Sequence, residues 1–180
     1  MARFVALLRG INVGGKHKLP MADLRALFTD AGAHAVETYI QSGNVVFEAS
    51  AREGPKLAAT VAANIEASMG FRAPIVVRTA KAWQALVDGN PFADEAEADP
   101  KRVHAAVLDR KPAAAARKAF DPDCRLGERW ILDGGTLYID FAGGVARSKV
   151  TVAYIDRVLG CIATGRNWRT VLALHERVCG

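Results

Sequence analysis

The chain is poor in the features that would anchor it in a membrane, cross-link it or hold a metal. Its 180 residues include three cysteines, Cys124, Cys161 and Cys179. They are odd in number, widely spaced and without a CxxC pair, so they read as reduced thiols and not as a disulfide frame or zinc site. The four histidines, His17, His34, His104 and His175, have no partner at metal-ligand or triad spacing, and no serine sits in a GxSxG elbow. The sequence therefore predicts neither a metal nor a cofactor. No apolar run approaches the roughly 20 residues that cross a bilayer. Phe4 to Leu8, the longest such run near the N-terminus, is too short for a signal-peptide core. A cytoplasmic location without a membrane partner is the expectation. The remainder is an ordinary globular composition, 51% hydrophobic and 24% charged with a net charge of +5, on a chain long enough to bury a sizeable core. The positive charge forms no tail or block, so it permits attraction to phosphorylated ligands or nucleic acid without requiring it.

The hydrophobic pattern divides the chain into two similar halves. Phe4 to Arg9 suits a buried strand, and Met21, Leu24, Leu27 and Phe28 then recur at helical spacing up to Gly32. Two β-rich runs, Val36 to Gln41 and Val45 to Glu48, flank Ser42-Gly43-Asn44 and predict a hairpin. Leu57, Val61, Ile65 and Met69 mark one face of a second helix, for which Ser50 to Glu53 offers a capping box and Pro55 a competing start. Pro74 to Thr79 is a further strand. This β-α-β-β-α-β order is that of the ferredoxin-like split βαβ unit. A short helix over Lys81 to Val87 and the stretch Asn90 to Pro100, with four acids and two prolines, read as a solvated linker. A strand over Arg102 to Asp109, a helix over Pro112 to Phe120, a hairpin turning at Gly134-Gly135 and a helix over Ser148 to Leu159 follow. A last helix, Trp168 to Val178, stands where the first half has its final strand. The expected architecture is α+β, a degenerate duplication. Two tandem ferredoxin-like (βαββαβ-type) halves with antiparallel sheets occupy 1–80 and 101–180, joined by 81–100, and the second ends in an extra helix.

Three loops carry candidate binding chemistry. Gly10 to His17 satisfies the first seven positions of GxxxxGK and fails at the eighth, where His17 replaces the Ser or Thr that would ligate magnesium. Lys18, Leu19 and Pro20 also separate Lys16 from the helix that a P-loop needs at its lysine. What is left is pliant backbone beside Arg9, Lys16 and Lys18. Gly143 to Lys149 places Arg147 and Lys149 around Ser148, a candidate N-cap, and Thr164 to Trp168 places Arg166 before Asn167, a candidate N-cap for the last helix. Capping explains each loop taken singly; an anion site results where they converge. The candidate ligand set is Arg9, Gly10, Asn12, Gly14, Gly15, Lys16, Gln41, Ser42, Asn44, Arg147, Lys149, Arg166 and Asn167. In it the cations neutralise charge, the amides orient the ligand and the glycines admit close approach to backbone N–H groups. A phosphorylated small molecule or single-stranded nucleic acid fits that chemistry. The alternatives are an enzyme acting on a phosphorylated metabolite, for which no catalytic residue is identifiable, and an interaction module or homodimer that uses an exposed sheet edge.

The segments LLRGINVGGKHKLPMADLRALF, TYIQSGNVVFEA and RNWRTVLAL together resemble a bacterial family catalogued as a domain of unknown function, family 1697, over nearly the whole chain. The resemblance implies an α+β protein of two ferredoxin-like halves. It implies no reaction, substrate or catalytic residue.

Overall fold

The computed structural model describes all 180 residues. Eight strands and seven helices follow one another as β1 (Ala2–Leu8), α1 (Met21–Asp30), β2 (His34–Tyr39), β3 (Asn44–Ala49), α2 (Gly54–Met69), β4 (Ile75–Thr79), α3 (Ala80–Asp88), α4 (Ala93–Ala98), β5 (Val103–Leu108), α5 (Ala114–Ala119), β6 (Arg129–Asp133), β7 (Thr136–Asp140), α6 (Val152–Leu159), β8 (Ala163–Asn167) and α7 (Trp168–Cys179). They form two compact units, Met1–Ala85 with Leu174–Gly180, and Leu86–Ala173.

The first unit holds an antiparallel sheet in the order β2-β3-β1-β4. Phe4, Ala6 and Leu8 of β1 and Val45, Phe47 and Ala49 of β3 point to one face, where Leu24 and Phe28 of α1 and Leu57, Val61 and Ile65 of α2 cover them. Phe47 sits between Phe4 and Phe28, with ring centroids 5.3 and 5.2 Å away. Val5 and Leu7 on the other face are buried as well, which is why β1 reads as a continuous apolar run. Of the two start signals of α2, Pro55 marks the first turn, while the Ser50–Glu53 pair closes the turn that precedes the helix and no side chain caps it. Ser50 Oγ accepts the Glu53 N–H at 3.2 Å and donates to the Glu53 carboxylate at 2.6 Å. Gly70, at φ +76°, closes the helix.

The second unit repeats the arrangement as β6-β7-β5-β8, again antiparallel. Three expectations change here. The second half does not lack its final strand, because Ala163–Asn167 pairs with β5 as β8, and α7 follows it directly. The helix expected from Ser148 begins at Val152, where Thr151 Oγ1 accepts the Tyr154 N–H and is the true N-cap. The stretch read as a solvated linker contains α4, with Phe92 and Ala96 buried. Its Glu95 joins Arg129, which together with Arg102 grips the fully buried carboxylate of Asp140. Arg129 also lies over the Phe92 ring at 5.0 Å.

The two units correspond in register. The Leu8 N–H bonds to Gly43 O as the Leu108 N–H bonds to Gly135 O, and the Arg9 N–H bonds to Pro74 O as the Asp109 N–H bonds to Ile162 O. Thr79 Oγ1 accepts the Ala82 N–H at the start of α3, and Asn167 Oδ1 accepts the Thr170 N–H at the start of α7. Strand pairing then matches Phe4 with His104, Ala6 with Ala106, Val77 with Gly165 and Arg78 with Arg166.

Candidate functional site

In the first unit the glycine loop closes on itself. Gly14 and Gly15 both have positive φ, +58° and +74°, and the Lys16 N–H bonds to Val13 O, so the tip is a tight hairpin-like turn. The Asn12 N–H bonds to His17 O, and the His17 ring stacks on Phe71 at 4.6 Å. The Asn12 side chain is fully engaged in structure: Nδ2 donates to Leu19 O and Gln41 O, both at 2.9 Å, and Oδ1 accepts the Leu19 N–H at 2.8 Å. The glycine loop is thereby tied to the β2–β3 loop. There a Cβ on Gly43 would stand 2.7 Å from Leu8 Cβ and 2.8 Å from Ile11 Cδ1, so only glycine fits between β1 and the loop. Asn44 is buried and donates to Tyr39 O and Ser42 Oγ. Arg9, Gly10, Asn12, Gly14, Gly15, Lys16, Gln41, Ser42 and Asn44 therefore share two joined loops, with Lys16 exposed and Arg9 half-buried.

In the second unit the candidates separate. Ser148 does not cap α6: it is buried and donates to Glu128 at 2.6 Å, a bond that holds the Glu128 carboxyl below the usual carboxylate range. Arg147 and Lys149 on either side are exposed. Lys149 lines an open cleft of about 550 Å³ together with Asp123, Thr151, Tyr154 and Arg157. Arg157 lies over the Tyr154 ring at 5.6 Å, and Asp123 is engaged by Arg125 at 2.6 Å. Arg166 does not line this cleft. It is on β8 opposite Ala105, its Nη1 donates to Gly165 O at 2.9 Å, and burial pushes its guanidinium down to about 10. Asn167 caps α7 as the sequence predicts. Arg157 was not among the sequence candidates; it lies on α6 while Lys149 precedes the helix, so no helical spacing links the two, and the cleft alone brings them together.

Residues 1–138 match the family model described as Protein of unknown function (DUF1697). The chain belongs to this family. The matched segment contains both first-unit loops and Asp123 of the cleft, and ends before the cleft's two cations, Lys149 and Arg157. No curated protein matches the sequence. Among solved structures, the conserved bacterial protein SP0830 from Streptococcus pneumoniae is similar with a TM-score of 0.73, covering 100% of this chain and 99% of that chain at 21% identity. That likeness shows the fold. Within this family member, no three His, Cys, Asp or Glu side chains gather where a metal ion could be held, and no helix is long and apolar enough to cross a membrane.

Proposed function

We propose that this protein binds a small phosphorylated molecule in the cleft beside α6, with Lys149 and Arg157 neutralising the ligand's charge. One observation carries the reading: the cleft of about 550 Å³ presents two cations, and its one carboxylate, Asp123, is already paired with Arg125. The Tyr154 ring beneath Arg157 favours a fixed guanidinium, suited to paired hydrogen bonds with phosphate oxygens. With no unpaired acid or histidine lining the cleft to move a proton, binding is favoured over turnover. We further infer that both halves are ferredoxin-like units descended from a duplication, 1–80 and 101–180 joined by 81–100, and that the protein works in the cytoplasm.

Of the sequence candidates, Lys149 belongs to this site. The first-unit loops support a second reading, contact with a protein partner or a second copy, because Val13 and Ile40 stand 66% and 50% exposed beside Lys16 and Gln41.

The test is a thermal-shift panel of inorganic phosphate, sugar phosphates, nucleotides and short oligonucleotides. At about 100 times its dissociation constant a ligand adds about 2.7 kcal/mol, or about 5–10 °C for a chain of this size. Lys149→Ala and Arg157→Ala should each abolish the shift while Lys16→Ala keeps it. No shift across the panel, or one lost only in Lys16→Ala, rejects the cleft.

A further inference from the structure

The register shared by the two units allows one to serve as a control for the other. In the first unit, the helix-facing end of the central strand is filled. Phe4 is fully buried and packs so tightly against the start of α2 that a Cβ on Gly54 would lie 2.3 Å from its ring, and Val77 on β4 stands opposite Ala6, two residues along β1. At the corresponding positions the second unit has His104 and Gly165. Replacing a phenylalanine by a smaller ring and a valine by hydrogen removes volume from a layer that is otherwise close-packed. No side chain fills the space: a cavity of about 250 Å³ lies there, lined by His104 and Gly165 from the sheet, Phe141 at the strand end, and Val145, Val150 and Ile155 from above.

Its lining is apolar apart from His104 and Thr151, and the Thr151 oxygen is occupied in capping α6. The His104 Nε2 lies 3.1 Å from Lys101 O. With Nε2 donating there, Nδ1 keeps its lone pair, and burial lowers the imidazole's affinity for a proton, so the ring is a neutral acceptor. The ring meets Phe141 edge-on at 4.9 Å, so His104 and Phe141 give the cavity an aromatic wall.

We propose that the second unit carries a binding site for a small neutral aromatic molecule bearing one hydroxyl, which donates to the imidazole of His104 while its ring occupies the space vacated at Gly165. A phosphate is unsuited to it, since neither cation of the Lys149 cleft lines it. The two sites share Thr151 but no charged group, so this proposal does not rest on the function proposed above.

Phenol is the probe and toluene its donor-free control, each titrated into the full chain while backbone amide NMR shifts are followed. Phenol should give saturable shifts clustered at residues 104, 139–141, 150–155 and 165, with toluene about tenfold weaker for want of one hydrogen bond. His104→Phe should reduce phenol to the level of toluene. Gly165→Val, which installs the first unit's residue, should abolish binding of both. Should that variant fail to fold, Gly165→Ala is the substitute: its Cβ would lie at an ordinary 3.8 Å from Val152 Cγ1, and it should weaken both ligands by occupying the cavity. Absence of saturable shifts, shifts centred elsewhere, toluene binding as well as phenol, or indifference to both His104→Phe and Gly165→Ala would each overturn the proposal.

Discussion

Phe4 and His104 hold equivalent places on equivalent strands, yet one is sealed between Phe47 and α2 and the other half-faces a cavity. The same divergence recurs at the strand rim. Glu48 in the first unit forms an exposed pair with Arg3 at 3.2 Å, whereas its counterpart Asp140 is fully buried and held by two arginines. The loops after the central strands differ too. In the first unit the chain runs through the Asn12-anchored glycine turn before α1, while in the second Asp109 Oδ1 accepts the Ile162 N–H at 2.7 Å and α5 follows soon after. A shared backbone register thus leaves each unit free to spend its strand ends differently: the first invests in packing and a projecting turn, the second in a cavity and a charge network.

The sharpest way to break this contrast is to truncate the paired core positions. Phe4→Ala should cost about 3–5 kcal/mol, as for a fully buried aromatic, and His104→Ala about 1 kcal/mol or less, because the space around it is already open. Urea unfolding of the two variants measures both; equal losses would mean that the cavity does not relieve the second unit. Next in size, Asp140→Asn should cost about 3 kcal/mol by leaving Arg102 and Arg129 without their shared carboxylate, against less than about 1 kcal/mol for Glu48→Gln in its exposed pair. That difference depends on pH. Hydrogen bonds from Arg102 and Arg129 hold the Asp140 carboxyl below the usual aspartate range. Its contribution is therefore complete above the unfolded value, about 3.9, and lost as pH falls through the folded one. Wild type and Asp140→Asn should converge in stability on acidification below about pH 4.

Smaller effects test the loops. Asn12→Ala removes three hydrogen bonds and should cost about 1–2 kcal/mol, with hydrogen exchange rising at Leu19 and around Gln41. Thr151→Ala, which uncaps α6, should cost about 1 kcal/mol, whereas Pro20→Ala at α1, a helix start without a side-chain cap, should cost less. Far-ultraviolet circular dichroism melts would separate the two.

Much of this was readable in the chain. Seven of the eight strands and all but one of the helices announce themselves by period and punctuation, and the two hairpins turn where Gly43 and Gly134 adopt positive φ. β8 escaped because Ala163-Thr164-Gly165-Arg166-Asn167 has little β propensity of its own; it is a strand by virtue of its pairing with β5, a long-range contact that no local pattern encodes. α4 escaped because its acids dominate the composition while its anchors, Phe92 and Ala96, are only two residues four apart. The site was legible in kind more than in place. The loops were flagged for their cations and glycines, but Asn12 and Asn44 proved to be structural ties, and Arg157 became a candidate only once α6 set it beside Lys149.

Each sheet hands the chain to its next helix without a spacer: Ala80 follows Thr79 and Trp168 follows Asn167. One inserted residue at either junction would turn the helix by about 100° against its strand, carrying the fully buried Trp83 off its buried face in the first case. An inserted residue has room at the open tip around Gly14 and Gly15, where an added Cβ meets nothing within 4 Å, while the strand-to-helix junctions must keep their count to the residue.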